Sequence, residues 1–555
     1  MKKNSPQSTF TSLDRTDIRI FALAFIIGLA VYVRTLAPGL LPGDSGEFQI
    51  LAHRLGHAHT TGYNVYLILA KLVTLIPIGE IAYRVNLFSA LMAALTLANI
   101  YLVARLVGTG RAAAMIGSLA LGISATFWSQ AVIAEVYTPA AAFSSGILVL
   151  VLLWYRTKNP RYLNLAGILG GLSVGVHASI SLFAVGIFVF MLIARPQKFK
   201  TWISGVIGAL LGLALALVAF IIVDFNSGYH DSFHTIYQPA ASKWDLEPQD
   251  LEAPSARFKY LYTAEQWRFA MFNNPTETMP AQAGKFFSNL PNDFSWISLG
   301  LILLGWVFIF RQDWQIGILL NLSLLAHWIY TFNYNIGDIH VFYISSYLIM
   351  AVFLAMGINW ILSGVIQSKD HLTAESGEFT EKINKTQRAP RSLRLNFLKI
   401  PQNHASLFST LTIIICLCAV GYPFAAERRD FIQARQANFD FNWYPYYDQL
   451  DPWRADIRQM IPVLEENAIV FAEWYDLFPY HYVAIVEEGR NDLRFIEAIP
   501  YSPNWGLADS TLDFIIENIA DRPIYAAWEL PDLDQVGLHT DWVYKGPIQL
   551  YKIRK

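Results

Sequence analysis

Apolar runs close to the ~20 residues that cross a bilayer's hydrocarbon core recur through the first three quarters of this chain. They lie at 18–36, 81–106, 112–128, 138–155, 163–177, 179–194, 202–223, 294–310, 315–332, 341–365 and 406–424. Composition agrees: of 555 residues 54% are hydrophobic and only 15% charged, against roughly 25% charged in a soluble domain. The polar side chains needed to cover several soluble globules are missing, so lipid must replace them. A soluble multidomain enzyme and a disordered chain are both excluded. With 41 basic and 43 acidic residues and a net charge of −2, the chain offers no electrostatic attraction for nucleic acid. The pattern predicts a multi-pass α-helical membrane protein with about 11 transmembrane helices.

The two cysteines, Cys416 and Cys418, stand at i and i+2 in one apolar run. On a helix they face different ways, so no disulfide is expected. The first apolar segment follows basic residues, is too long for a removable leader and reads as a retained signal-anchor. Orientation follows from the basic residues of the short loops. Lys2, Lys3, Arg15 and Arg19 place the N-terminus inside. Arg105/Arg111, Arg156/Lys158/Arg161, Arg195/Lys198/Lys200, Arg311 and the basic stretch 369–399 then all fall on the same side. Asn64–Pro77 is also apolar, but counting it as a span would invert every later loop, so it is expected to lie at the outer interface.

The resulting plan is a transmembrane domain over 1–424, with a first outer loop at 37–80, a second at 225–293 and a charged cytoplasmic linker at 367–404. An outer α/β domain follows over 425–555. Its expected strands are Ala468–Trp474, Leu493–Ile499, Pro523–Trp528 and Val543–Ile553, and its expected helices Pro452–Glu466 and Ser510–Ala520.

In this topology the reactive side chains collect on the outer side. The first loop holds Asp44, Glu47, His53, Arg54, His57 and His59, with Arg84 and Asn86 opening the second span. Glu135, His177 and Asp338 lie at later outer turns. A transporter needs ionisable groups near the midplane. An enzyme acting on a lipid head group needs them at the interface, which is what this distribution favours. Pro42-Gly43-Asp44-Ser45-Gly46-Glu47 is the sharpest constellation. Asp44 with Glu47 three residues on reads either as a helix N-cap with a capping box or as a carboxylate held to act as general base. His53, His57 and His59 have a spacing open to zinc, although a histidine at an interface commonly only hydrogen-bonds.

The stretch from Gly43 to Leu91 resembles the signature of the protein O-mannosyltransferase-like membrane proteins of the GT-C fold class. That signature runs G-D-S-G-E-[FL], then L-G-x-x-H-P-P-G-[YF]-P-x-Y, then R-x-N-L-[LF]-S-A-L. Phe127-Trp128-x-Gln130, Ala134-Glu135-Val136-Tyr137, Gly171-Leu172-Ser173 with His177, Asn335-x-x-Asp338 and the tail 467–496 extend the resemblance. Thr60-Thr61 stand where the pattern has Pro-Pro, Asn64 replaces the following Pro, and His57 lies outside the pattern.

The resemblance implies a glycosyltransferase of the cytoplasmic membrane that takes sugar, mannose being one candidate, from a polyprenyl-phosphate carrier to a hydroxyl acceptor outside. The acceptor is a protein, lipid or glycan. In GT-C enzymes an acidic residue of the first outer loop is the base, which maps onto Asp44, with Glu47 the second acidic position. Such a reaction needs a base for the acceptor proton and donors for the departing phosphate. His59 and Arg84 are the phosphate candidates, and Tyr63, Asn86, Glu135, His177 and Asp338 complete the expected substrate site. Arg84 reads equally as a helix-end residue. No cofactor is expected to be required; a divalent ion is chemically possible. A single displacement inverts the anomeric centre. The rival readings are a transporter or flippase of lipid-linked sugars, which moves the donor without forming a glycosidic bond, and a catalytically silent scaffold.

Overall fold

The computed structural model describes residues 13–195, 199–377, 405–434, 450–502 and 505–555. The helices in chain order are α1 (Arg15–Arg34), α2 (Gly43–Arg54), α3 (Asn64–Thr74), α4 (Ile81–Val107), α5 (Arg111–Gly122), α6 (Ala125–Ala131) and α7 (Tyr137–Thr157). Then come α8 (Pro160–Leu172), α9 (Phe183–Ala194), α10 (Phe199–Phe225), α11 (Pro254–Tyr262), α12 (Pro275–Asp293), α13 (Trp296–Gln312), α14 (Trp314–Phe332), α15 (Ile344–Gly377) and α16 (Ala405–Ala434). The tail adds α17 (Asp451–Met460), α18 (Trp474–Tyr482) and α19 (Asp509–Asn518).

Among the described residues six helices are long and apolar enough to cross a membrane, or up to eight if each bent pair forms one span. The expected span 112–128 is broken into α5 and α6, 69° apart. The span 294–310 is α13, entered from α12 through a 112° bend. The expected spans 163–177 and 179–194 correspond to shorter apolar stretches, the 13 residues of α8 and then Ala178–Ala194, while 406–424 falls within the 30-residue α16. For the first two the difference is one of length, since at 1.5 Å per residue a 13-residue helix reaches only about 20 Å. α8 and α10 lie so close that a Cβ at Gly208 would come within 2.1 Å of the Asn164 carbonyl oxygen, the small-residue contact by which membrane helices pack. α3, with 11 residues and an exposed Leu72, is too short to cross. Residues 367–377 of the expected charged linker belong to α15, which runs on to Gly377; residues 378–404 lie outside the described residues. Cys416 is buried and Cys418 exposed, both free.

The basic loops meet at one end of the bundle. At the start of α1, Asp14 accepts from the Thr16 and Asp17 amides in a capping box. Buried Asp17 accepts from Tyr101 Oη at 2.7 Å and from Arg105 Nε at 2.9 Å. Arg156 pairs with Asp313 at 3.2 Å at the same end of α7 and α14. Since α1 leads from this end toward α2, Asp44 and Glu47 lie at the opposite one.

The tail is a five-stranded sheet of β1 (Ile469–Ala472), β2 (Arg494–Glu497), β3 (Ile524–Ala526), β4 (His539–Lys545) and β5 (Ile548–Arg554), in the order β2-β1-β3-β5-β4. β1 pairs parallel with β2 and β3, and β5 antiparallel with β3 and β4. The single strand expected over Val543–Ile553 is two, because Gly546 at φ 62° turns the chain back into a hairpin. Helix α18, with Pro479 inside it, was not foreseen.

α18 docks on α2. A Cβ on Gly46 would sit 2.8 Å from Pro479 Cδ and 2.5 Å from the Leu41 carbonyl oxygen. Arg454 Nε donates to Leu40 O at 2.8 Å, and the Ala82 amide donates to Tyr482 Oη at 3.1 Å. The second glycine of the first-loop motif is thus small because the tail domain lies against it. Gly46→Val should cost about 1–3 kcal/mol by overpacking and loosen this contact. Limited proteolysis of the purified variant should release the tail domain faster than in the parent chain.

Candidate active site

Helix α2 opens the site. Its N-cap is Pro42, and no side chain caps it. Neither the N-cap nor the capping-box reading of Asp44 and Glu47 holds, because both carboxylates are engaged elsewhere. Glu47, fully buried, accepts on Oε1 from the His59 amide at 2.7 Å and from Ser232 Oγ at 2.6 Å, and on Oε2 from His59 Nδ1 at 2.5 Å. Asp44 Oδ1 accepts from Trp474 Nε1 at 2.8 Å, a donor from the tail domain. Its Oδ2 lies 3.9 Å from His59 Nε2. Asp44 is half-buried, with 34% of its side chain accessible.

The chain returns His59 to Glu47 because α2 stops at Arg54, where Leu55 takes φ 61°. That stop also separates the histidines. His53 stays on the helix, while His57 turns away and bonds Asn64 Oδ1 at 3.2 Å and Asp224 Oδ1 at 3.0 Å. Asp224 is in turn gripped by Arg257 at 2.8 and 3.0 Å. Among the described residues no three His, Cys, Asp or Glu side chains are grouped to hold a metal ion, so the zinc spacing read from sequence does not become a cluster.

Burial alone would lower the His59 pKa, but Glu47 and Asp44 outweigh it and push it up to about 9. At neutral pH His59 is therefore an imidazolium, donating Nδ1–H to Glu47, with Nε2–H facing Asp44 and Tyr63 Oη, 3.3 Å away. Burial, followed by the Glu47 charge, raises the Asp44 carboxyl, while His59 and Trp474 hold it down. Burial together with the Asp44 charge also raises Asp338 and, more strongly, Glu135. Glu135 Oε2 is buried without a partner.

Of the residues singled out in the sequence, Asp44, Glu47, His59 and Tyr63 come together, and Glu135 and Asp338 lie within reach of the Asp44 charge. His177 stacks on Tyr63 at 5.9 Å and 24°, beside Tyr137 and Phe342. Two others do different work. Asn86 Nδ2 donates to Ala37 O at 3.0 Å, and Asn86 Oδ1 accepts from Gln49, whose own Oε1 accepts from the Leu41 amide. This pair shapes the loop that delivers Asp44. The phosphate role expected of Arg84 is corrected: Nε, Nη1 and Nη2 donate to the carbonyls of Ile78, Thr74 and Gly79 at 2.8, 2.8 and 2.9 Å. It closes the end of α3, the helix-end reading. Arg84→Gln should therefore cost about 1–2 kcal/mol of stability and leave the affinity for a polyprenyl phosphate within about threefold (0.7 kcal/mol or less), as read by thermal melts with and without that lipid.

Thr60, standing where the resembled pattern has Pro, uses what Pro lacks. Its amide donates to Tyr237 Oη and its hydroxyl to Gln266 Oε1, each at 3.0 Å, which ties the first loop to the second. Ser232, Tyr237, Trp474 and Glu497 were missed. The last two follow or end apolar strands, where a lone polar residue is the available signal.

Compared with known proteins, residues 44–203, under a third of the chain, match the family described as protein O-mannosyl-transferase TMEM260 N-terminal domain. The protein O-mannosyl-transferase TMEM260 of Mus musculus is 28% identical over 204 residues, 36% of this chain and 29% of the mouse protein. Its Dictyostelium discoideum counterpart is 25% identical over 159 residues, 28% of this chain and 19% of that protein. The chain thus matches less than a third of the length of either relative. Crystal structures of ArnT from Cupriavidus metallidurans superpose along the whole length: the apo state with TM-score 0.56 and 12% identity over 97% of both chains, and the undecaprenyl phosphate complex with TM-score 0.54 and 13% identity over 97% of this chain and 98% of that one.

The fold is GT-C. The resemblance to protein O-mannosyltransferase-like proteins read from the first loop holds. In this GT-C chain the matched stretch begins at Asp44 itself and takes in Glu47, His59, Tyr63, Glu135 and His177, whereas Trp474 and Glu497 lie beyond it.

Proposed function

We propose that the chain is a glycosyltransferase that moves a hexose, with mannose the first to test, from a polyprenyl-phosphate carrier to a hydroxyl acceptor at the outer face of the cytoplasmic membrane. One observation carries this reading: a partly accessible carboxylate, beside a buried imidazolium, lies where apolar helices meet a polar α/β domain. A greasy carrier enters such a site from the helices, and an alcohol from the domain side.

In the reaction, the acceptor oxygen attacks the anomeric carbon while the carbon–oxygen bond to phosphate breaks. The electron pair leaves with the phosphate, already a good leaving group, and the acceptor proton passes to Asp44. The glycosidic bond forms with inversion, as in any single displacement. Glu47 does not compete as base, because its oxygens are occupied by His59 and Ser232. It holds the His59 imidazolium, which supplies positive charge for the departing phosphate. Tyr63, stacked on His177, presents an aromatic wall suited to a sugar face.

The test is to incubate the purified protein with a panel of polyprenyl-phosphate hexoses and hydroxyl acceptors. Formation of a glycosidic bond with release of polyprenyl phosphate is expected. Movement of the donor across liposomes with no bond formed would instead make the protein a flippase.

A further inference from the structure

The tail domain presents more than a docking face. β1 lies between β2 and β3; α18 connects β1 to β2, and α19 connects β2 to β3. In the order β2-β1-β3 the switch point, where open α/β sheets bind ligands, lies between β1 and β3; the carboxyl end of β1 borders it, and that of β2 lies beside β1 in parallel register. Here the two ends point at the first loop. Trp474, two residues beyond β1, donates to Asp44 and meets the His59 ring at 5.6 Å and 84°. Glu497 closes β2, in register with Ala472. It is 6% exposed, and its carboxyl makes no hydrogen bond to any described residue. Four residues on, Tyr501 lies against Trp267 and Phe269 of the second outer loop at 5.2 and 5.4 Å, which extends the same wall outward.

A buried polar group without a partner is a cost that folding alone does not explain. We infer that Glu497 is an acceptor-binding residue: its carboxyl donates a hydrogen bond to the oxygen of the incoming alcohol whose proton Asp44 removes. An alcohol has one hydrogen to give and lone pairs to receive with, so a carboxylate and a carboxylic acid together fix its orientation. The acid keeps its proton throughout. Burial and then the Glu47 charge push the Glu497 pKa up to about 8, with Asp44 adding to the rise and His59 opposing it. The carboxyl is thus protonated at neutral pH and loses its proton as pH rises through about 8. The charged groups acting on it, Asp44 and Glu47 of α2 and His59 of the first loop, all belong to the site.

This inference rests on the proposed transfer reaction. Its test measures initial rates for the full chain and its variants at varied donor and acceptor. Glu497→Ala should raise the acceptor KM about tenfold, the worth of one hydrogen bond, with donor KM and kcat within about threefold (under 0.7 kcal/mol). Glu497→Gln, which keeps a donor and cannot ionise, should restore the acceptor KM at neutral pH and hold it above pH 8, where the parent weakens. Glu497→Leu should melt no lower than the parent. An unchanged acceptor KM in an active Glu497→Ala variant, or an equal rise in donor KM, would overturn this inference alone. A clear drop in melting temperature for Glu497→Leu would make the residue structural and overturn it too. No transfer by the parent chain with any donor would overturn the proposed function, and this inference with it.

Discussion

Asp44→Asn should fold, dock its tail domain and bind a polyprenyl phosphate, yet lose transfer by about 10²–10⁴, the contribution of a positioned base. The amide has the carboxylate's shape and can still accept from Trp474 Nε1, so the local packing survives. What it cannot do is take the acceptor's proton. The measurement is single-turnover transfer by the purified variant beside a melting curve; near-normal turnover would remove Asp44 from the chemistry. The pH profile of the parent follows from the same groups. Because burial raises the Asp44 carboxyl, the acid-side fall in activity, where the base becomes protonated, should come at a higher pH than for an ordinary aspartate. On the alkaline side it should fall as His59 loses its charge near pH 9. In Asp44→Asn the acid limb should vanish.

Glu47→Ala should be the most destabilising single change in the site. It removes the acceptor of the His59 amide, the His59 ring and the Ser232 hydroxyl together. It also leaves the imidazolium without its closest counter-charge. Breaking a buried ion pair by deleting one partner costs about 3–5 kcal/mol. His59 should then deprotonate at a lower pH, since burial favours its neutral form and the charge opposing burial is gone. Purified Glu47→Ala should show a strongly lowered melting temperature and an alkaline activity limb moved toward neutral. Glu47→Gln, which keeps the acceptor oxygen, should lose less stability. A melting temperature equal to the parent's in Glu47→Ala would contradict the buried network.

The helices were legible because apolar length is a local property. α1, α4, α7, α10 and α14 fall where their runs predict, and α3, in the stretch not counted as a span, has only 11 residues. The breaks were harder to read: Gly122 and the N-cap Ser124 mark the 69° bend before Ala125, but neither interrupts the apolar run 112–128. In the site, residues close in sequence were found and those contributed from afar were not. Asp44, Glu47, His59 and Tyr63 lie within 20 residues of one another, and the resemblance covers them. Trp474 and Glu497 join only once a sheet some 430 residues away folds back onto α2, a long-range contact that no periodicity encodes. Arg84 and Asn86 show the converse error: a motif position near the site can shape the loop rather than touch a substrate. Gly46 shows that part of a catalytic-looking motif is there for packing.

The central claim is that the site at Asp44 receives the head of a lipid carrier, and a structure of the purified protein with a bound polyprenyl phosphate tests it most directly. The account predicts the phosphate between His59 and Tyr63, close to Asp44 and beneath Trp474, with the tail running down among the helices. A phosphate held instead at the arginine-rich opposite end of the bundle, by Arg105, Arg111 or Arg156, would contradict it.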